Sequence, residues 1–333
     1  MTPFPFAAIV GQDEMKTAMI LTAIDPKIGG VLVFGDRGTG KSTAVRALAA
    51  LLPPIEAVAG CPCNSATPED CPDWAEISDT SITTRPTPVV DLPLGVTEDR
   101  VTGALDIERA LTRGEKAFEA GLLARANRGY LYIDEVNLLE DHIVDLLLDV
   151  AQTGSNVVER EGMSIRHEAR FVLVGSGNPE EGELRPQLLD RFGLSVEVRS
   201  PDDIDTRIEV IRRRDAYENE HAAFMEYWRP QDAELRERIL AARAALPSVS
   251  SSNVALHDCA SVCLALGSDG LRGELTLLRT ARALAAYNGA KEVTRDHIRE
   301  SAPMALRHRL RRDPLDEAGT TARVARQLAE VLP

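Results

Sequence analysis

The sequence predicts an α/β fold in which a parallel-sheet core with inserted β-hairpins and helices precedes an all-helical C-terminal region. The apolar run 30–34 leads into a glycine-rich loop and then into the Ala/Leu-rich segment 42–49, which is the order of a strand, a turn and a helix. Two further apolar runs, 130–133 and 171–177, each end in polar residues. After residue 201 the pattern becomes helical throughout. Strands alternating with helices are typical of a parallel sheet.

The glycine-rich loop matches the complete pattern G-x-x-x-x-G-K-[ST] at residues 35–42. Because it lies between a strand and a helix N-terminus, which favours anions, it predicts a nucleoside triphosphate site. Lys41 is expected to reach the β- and γ-phosphate oxygens, and Ser42 to hold the Mg²⁺ of the nucleotide. The nucleotide-binding residues predicted here are Gly35, Asp36, Arg37, Gly38, Thr39, Gly40, Lys41, Ser42 and Thr43.

The apolar run 130–133 ends in two acids, Asp134 and Glu135. This pattern is similar to the Walker B strand of P-loop ATPases. Asp134 would then contact the magnesium shell, whereas Glu135 would orient and activate the attacking water. The alternative is that the acids simply precede the next helix, since 137–142 resembles a helix start.

Asn178 and Arg191 follow the third apolar run. Pro179 prevents the strand from continuing, so the Asn178 amide lies at its tip, where it could hold the lytic water. This resembles the sensor 1 position of AAA+ ATPases.

The segment 188–193, Leu-Leu-Asp-Arg-Phe-Gly, resembles their arginine-finger motif, in which Arg191 would act on the site of a neighbouring subunit. Alternatively, Arg191 interacts only with the helix macrodipole and a surface carboxylate.

Length and composition indicate a globular chain of two domains. The chain has 333 residues, of which 44% are hydrophobic and 27% charged, and no apolar stretch is long enough to span a bilayer. The N-terminus has no leader pattern, so we expect a cytoplasmic protein or a mature plastid protein. The predicted division is an α/β nucleotide-binding domain at 1–200, connecting helices at 201–245 and a helical lid domain at 246–333.

The formal net charge is −14, and most of it lies in the first part of the chain. Residues 1–200 contain 31 acidic and 18 basic side chains, whereas residues 201–333 contain 21 and 20. An acidic domain argues against a nucleic-acid track, which requires a basic stripe. The basic cluster 307–312 is interpreted as an interdomain or intersubunit surface.

The five cysteines indicate no disulfide framework in a reducing compartment. Cys61, Cys63 and Cys71 are interpreted as loop thiols, because the spacing is C-x-C and no histidine lies close by, although a zinc site is the alternative. Cys259 and Cys263 are one helical turn apart among apolar residues, which predicts core positions.

Two insertions are predicted, because more residues than a simple crossover requires separate the helix at 42–49 from the run 130–133, and a further segment precedes the run 171–177. The segment 87–95 is expected to be extended but unpaired because of its prolines, and 156–167 to form a β-hairpin. Helices are predicted at 203–215, 231–246, 254–266, 272–288 and 294–309.

The segment 267–275 resembles a sensor 2 motif, in which Arg272 touches the γ-phosphate from the predicted lid domain. Arg279 is the alternative residue for this role.

The chain as a whole resembles the I subunits of magnesium chelatases, the AAA+ ATPases of chlorophyll and bacteriochlorophyll synthesis. Beside the ATPase motifs, the resemblance rests on three more specific runs, Asp-Leu-Pro-Leu-Gly at 91–95, Gly-Ala-Leu-Asp-Ile at 103–107 and Leu-Arg-Gly-Glu-Leu-Thr at 271–276. A further match is Ile-Val-Gly-Gln at 9–12, where the resemblance implies that Ile9 and Val10 line the adenine pocket.

The resemblance implies ATP and its Mg²⁺ as cofactors and a homo-oligomeric ring, expected to be a hexamer. It also implies a D subunit and a porphyrin-binding H subunit as partners, with ATP hydrolysis driving insertion of Mg²⁺ into protoporphyrin IX. No nucleic-acid partner and no stable membrane insertion are expected. The alternatives are a MoxR-like chaperone that remodels a protein client and an MCM-like helicase.

Overall fold

The computed structural model describes residues 2–332, apart from positions 37, 161, 179–183, 185, 269 and 311–318. The strands are β1 (Val31–Gly35), β2 (Ile55–Val58), β3 (Ile82–Arg85), β4 (Val89–Leu92), β5 (Gly103–Leu105), β6 (Phe118–Ala120), β7 (Tyr130–Ile133), β8 (Ser155–Arg160), β9 (Met163–Glu168), β10 (Val172–Gly177) and β11 (Leu194–Val198). The first seven helices are α1 (Asp13–Ile24), α2 (Lys41–Leu51), α3 (Glu98–Thr102), α4 (Ile107–Arg113), α5 (Leu122–Ala126), α6 (Asp141–Thr153) and α7 (Pro186–Arg191). The remaining helices are α8 (Ile204–Asn219), α9 (His221–Ala245), α10 (Asn253–Leu266), α11 (Arg272–Tyr287), α12 (Arg295–Leu306) and α13 (Gly319–Val331).

Five parallel strands form the central sheet in the order β11-β1-β10-β7-β4. Successive side chains of a strand point to opposite faces, and both faces of this sheet are covered. Val31 and Val33 pack into one hydrophobic cluster, with α1, α2 and C-terminal helices, whereas Leu32 packs into another, with α5 and α6. The predicted α/β fold with a parallel-sheet core is therefore confirmed.

Three two-stranded antiparallel hairpins are inserted around this sheet: β2–β3, β5–β6 and β8–β9. The hairpin β8–β9 confirms the prediction at 156–167, except at Glu161, which lies outside the described residues. The hairpin β2–β3 lies in the long segment between α2 and β7, where the sequence indicated an insertion.

The expectation that 87–95 stays unpaired is wrong at Val89–Leu92. These residues form β4, the edge strand of the central sheet, and Val89 is in register with Tyr130. Pro88 and Pro93 flank the strand instead of interrupting it. An edge strand also tolerates nearby prolines because one side of it makes no ladder hydrogen bonds.

The C-terminal region is helical, as predicted, with differences in two elements. Helix α9 begins at His221, ten residues before the expected start, and contains Pro230. Helix α13 was not predicted. Helix α9 connects the two regions, since Arg236 donates to the carbonyl of Leu51 (2.5 Å) and Arg243 to that of Ala23 (2.7 Å). The division at residues 200 and 245 stays a prediction.

The cysteines occupy two hydrophobic environments. Cys259 and Cys263 are buried in the cluster that joins the sheet to the C-terminal helices, which confirms their prediction as core residues. Cys61 and Cys63 are buried in a small separate cluster, and Cys71 packs at its edge. The interpretation as loop thiols is therefore incomplete for Cys61 and Cys63, because both side chains are held in place by hydrophobic packing.

Candidate functional site: a nucleotide pocket at one edge of the sheet

The glycine-rich loop connects the end of β1 to the start of α2. Gly38 (φ 77°) and Gly40 (φ 82°) have the left-handed backbone conformation that side chains disfavour. Gly40 is also the residue before the first turn of α2, so the positive end of the helix dipole faces the loop. Arg37 lies outside the described residues. The shape of the loop is that of an anion cradle.

Lys41 folds back over this loop. Its ammonium donates to the carbonyls of Gly35 (2.5 Å) and Asp36 (3.2 Å), and the hydroxyl of Thr39 also donates to the Asp36 carbonyl (2.8 Å). The ammonium thus lies where the loop would hold phosphate. A glycine-rich turn, a helix N-terminus and a lysine together fit a nucleoside triphosphate with its Mg²⁺.

A cavity of about 930 Å³ opens above the loop. Its lining includes residues 38–43 of the loop, both acids, Asn178, and the pair Ile9 and Val10. The volume lies within the range of small-molecule sites, roughly 300–1,000 Å³. The cavity brings the apolar pair together with the polar residues of the loop. The role of Ile9 and Val10 at the adenine stays a prediction.

Sheet order explains why three motifs that are distant in sequence meet in this cavity. Strand β10 lies between β1 and β7, and all three are parallel. Their carboxyl ends therefore meet at one edge, which is the usual ligand edge of an open α/β sheet. The loop follows β1, Asn178 follows β10, and Asp134 with Glu135 follows β7.

A hydrogen-bond network fixes the two acids. The Ser176 hydroxyl donates to Asp134 Oδ1 (2.6 Å) and accepts the backbone N–H of Glu135 (3.1 Å). The Tyr132 hydroxyl also donates to Asp134 Oδ1 (3.0 Å). Glu135 has a left-handed backbone (φ 54°, ψ 57°), which is strained for a residue with a side chain. Burial raises the pKa of Tyr132, so its hydroxyl keeps its proton.

Arg191 lies away from this cavity, at the end of α7. Its guanidinium forms ion pairs with Asp149 and, at 4.0 Å, with Asp145 of α6. It lines a second cavity, of about 960 Å³, which also borders residues preceding β1, β7 and β10. This cavity is therefore at the amino-terminal edge of the sheet, roughly 15–20 Å from the nucleotide edge for strands of this length.

Arg272 does not line the nucleotide cavity of its own chain, so its predicted contact with a γ-phosphate stays a prediction. Arg272 begins α11, where it donates to Asp190 Oδ2 (3.2 Å) and Gln152 Oε1 (3.3 Å), and it lines the second cavity beside Arg191. Arg279 lines the same cavity and donates to the Lys27 carbonyl (2.8 Å). The reason is packing: α11 lies against α1 and the turn before β1, which directs its start to the amino-terminal edge.

The structure describes residues 307–310 of the basic cluster at 307–312. These residues contact the N-terminal region, which agrees with the interpretation of the cluster as an interdomain surface. Arg307 pairs with Glu14 of α1, and Arg309 with Asp190. His308 Nε2 and Arg309 both bond the Phe192 carbonyl, at 3.0 and 2.7 Å. The C-terminal region therefore holds both neighbours of Arg191 in the chain. Arg311 and Arg312 lie outside the described residues.

His308 should make folding sensitive to acid. Burial, with a smaller effect of the Arg309 guanidinium, lowers the pKa of His308 from 6.5 to about 3. The unfolded chain therefore binds a proton below about pH 6.5 that the folded chain does not, and stability falls as the pH decreases from 6.5 towards 3. Between pH 7 and 5, the melting temperature should fall more for the wild-type chain than for His308→Gln, which has no titrating group there. Equal decreases in calorimetry would contradict this account.

Sequence reasoning missed several lining residues of the nucleotide cavity. Those on α8 are Arg207, Val210, Ile211, Arg213 and Arg214, and those near the N-terminus are Phe4 and Ala8. Tertiary contacts bring them there: Tyr217 donates to the Thr2 carbonyl (2.5 Å), and Arg213 to that of Ala8 (3.1 Å). No local pattern signals such contacts. Ser176 lies within the apolar run 171–177, and no role was predicted for it from the sequence, although it precedes Asn178 by two residues.

Helices of the described part of the chain are all too short or too polar to cross a membrane.

Two family models and several curated proteins match the chain. A family model described as magnesium chelatase, subunit ChlI, matches residues 106–187, and one described as AAA lid domain matches residues 257–328. The magnesium-chelatase 38 kDa subunit of Cereibacter sphaeroides is 78% identical over 99% of both chains. That of Rhodobacter capsulatus is 74% identical over 99% of this chain and 94% of its own.

A solved structure of magnesium chelatase subunits also matches this chain. A model of the complex between subunits BchI and BchD of magnesium chelatase, based on single-particle cryo-EM, contains a chain 69% identical to this one. The two chains cover each other completely, with a TM-score of 0.59. This chain belongs to the family of magnesium chelatase I subunits.

Proposed function

We propose that this chain is the ATPase motor subunit of a magnesium chelatase and that its site is completed by a neighbouring copy. The observation that carries the proposal is the convergence of the P-loop, Asp134, Glu135 and Asn178 in one cavity at the carboxyl edge of the sheet. This is the arrangement that phosphoryl transfer to water requires: a phosphate cradle, a metal-shell acid, a base and a polar group that positions water.

Each residue has a separate task. Lys41 and the loop N–H groups bind the phosphates, Ser42 and Asp134 hold the magnesium shell, and Glu135 accepts the proton of the attacking water at its carboxylate. Asn178 orients that water, while Ile9 and Val10 exclude solvent from the base. Bound ATP supplies the phosphoanhydride bond whose cleavage provides the free energy.

Arg191 and Arg272 are proposed to serve the site of the next subunit. Both lie at the amino-terminal edge of the sheet, so neither can reach the nucleotide cavity of its own chain. A head-to-tail ring brings one edge of each copy against the opposite edge of the next. In such a ring, the two guanidinium groups stabilise the charge that develops on the transferred phosphoryl group. We expect a hexamer.

The proposed partners are the D- and H-type subunits of a magnesium chelatase. A chain 69% identical to this one has been placed in a complex of BchI with BchD, which supports a D-type partner. The resemblance further implies an H-type subunit that carries protoporphyrin IX and receives Mg²⁺. The proposed location is the cytoplasm.

Reconstituted metallation tests this function. Formation of magnesium protoporphyrin, followed by its fluorescence, should require this chain, ATP and both D- and H-type subunits. Replacing the chain with Lys41→Ala should abolish the signal, because the phosphates lose their lysine. Undiminished metallation with Lys41→Ala would contradict the proposal. ATPase stimulation by an unrelated client protein would favour the MoxR-like chaperone, and salt-sensitive DNA binding the MCM-like helicase.

A further inference from the structure

Ser176 contacts both acids of the site at once. It is only 1% exposed, at the end of β10, where the parallel register places it level with the end of β7. Its hydroxyl has one proton, which it donates to Asp134 Oδ1, and its oxygen accepts the N–H of Glu135. The first bond, 2.6 Å long, has the length of a charge-assisted O–H···O⁻ bond, which is about twice as strong as a neutral one.

The two bonds act on different acids in different ways. The donated bond fixes the rotation of the Asp134 carboxylate, and the Tyr132 hydroxyl supports the same oxygen. Both donors fall on Oδ1, and in the proposed arrangement the other oxygen, Oδ2, would face the metal shell. The accepted bond instead fixes the backbone of Glu135 in its left-handed conformation, and this decides where the carboxylate of Glu135 points.

We propose that Ser176 is a positioning residue that aligns the metal-shell acid and the general base together. The Tyr132 hydroxyl, which lies 3.0 Å from Asp134 Oδ1 and 3.3 Å from Ser176 Oγ, supports the metal-shell acid. This rests on the roles proposed above for Asp134 and Glu135. A buried serine could instead have a purely structural role, in which case its loss would lower stability without changing how the site uses Mg²⁺. The two roles therefore predict different measurements.

The first measurement is nucleotide binding, which does not depend on turnover. Binding of a fluorescent ATP analogue is titrated with Mg²⁺ for the wild-type chain, Ser176→Ala and Tyr132→Phe. We expect both variants to need about three- to tenfold more Mg²⁺ for half-maximal binding, because Asp134 loses a donor in each. Analogue binding without Mg²⁺ should match the wild type, since the loop and Lys41 are unchanged.

The second measurement is ATP turnover at saturating Mg²⁺. Ser176→Ala should be slower than the wild type by about 10- to 100-fold, because Glu135 also loses its backbone anchor. Tyr132→Phe should lose much less, since the contact to Glu135 remains. Ser176→Thr keeps a hydroxyl and should recover most of the loss.

The matched control is Ser195→Ala. Ser195 is also a buried serine (2% exposed), but it lies on β11, outside the nucleotide cavity. It reports the general cost of deleting a buried hydroxyl and should leave Mg²⁺ dependence and turnover unchanged. The proposal is overturned if Ser176→Ala matches Ser195→Ala in both measurements. It is also overturned if Tyr132→Phe lowers turnover as much as Ser176→Ala. If the Glu135 and Lys41 variants hydrolyse ATP normally, the proposed function itself fails, which is a separate outcome.

Discussion

Glu135→Gln should bind ATP with nearly normal affinity yet hydrolyse it at least about 10²-fold more slowly than the wild-type chain. The amide keeps the shape of the side chain and its place in the cavity that Asn178 also lines, but it cannot accept the proton of the attacking water. The variant should therefore accumulate in an ATP-loaded ring. Steady-state ATPase and size-exclusion chromatography in the presence of ATP measure both effects.

Lys41→Ala is the contrasting variant. Lys41 bonds the loop carbonyls and is proposed to neutralise phosphate charge, so its loss should weaken binding as well as turnover. A binding defect in Lys41→Ala without one in Glu135→Gln would separate the two roles. Normal steady-state ATPase in the Glu135→Gln chain would refute the assignment of Glu135 as the base.

Arg191→Ala should lower the turnover of the assembled ring by roughly 10³-fold while nucleotide affinity of an isolated subunit barely changes. The reason is its place at the amino-terminal edge, where it cannot reach the nucleotide of its own chain. Loss of its partly exposed ion pairs with Asp145 and Asp149 should cost no more than about 1 kcal/mol of stability.

The control for this variant is Arg229→Ala. Arg229 is an exposed arginine on α9 that also pairs with an acid, Glu226. It should behave as the wild type in turnover, binding and melting temperature. If isolated Arg191→Ala subunits lost nucleotide affinity by as large a factor as the ring loses turnover, the proposed role would be contradicted. A residue that acts in trans leaves the isolated site intact.

The nucleotide edge of this fold was predictable because each of its motifs follows a recognisable apolar strand. Once the strands are parallel, their carboxyl ends must share an edge, so the P-loop, Asp134 and Asn178 had to meet. The edge strand β4 was missed because Pro88 and Pro93 were interpreted as preventing strand pairing throughout 87–95. In the structure they only flank the strand, which spans Val89–Leu92.

The position of Arg272 was not predictable in the same way. Its motif resembles a sensor that faces the nucleotide, but the edge that a lid helix approaches depends on how it packs against α1 and α9. Side-chain contacts between regions more than 200 residues apart, such as Arg243 with Ala23, decide this. Such contacts leave no periodic pattern in the sequence. The same holds for α8, whose place beside the cavity depends on the N-terminal segment.

The central claim is that each site is built by two copies of the chain, and mixing two inactive variants tests it most directly. Lys41→Ala keeps an intact Arg191 and Arg191→Ala keeps an intact P-loop, so random mixing at equal amounts gives about a quarter of interfaces with both intact parts. We expect ATPase activity to reappear in the mixed rings and to follow the mixing ratio. Mixing Lys41→Ala with Arg272→Ala should give the same recovery if Arg272 also acts in trans. No recovery at any ratio, with mixed assembly verified by mass spectrometry, would contradict the shared site.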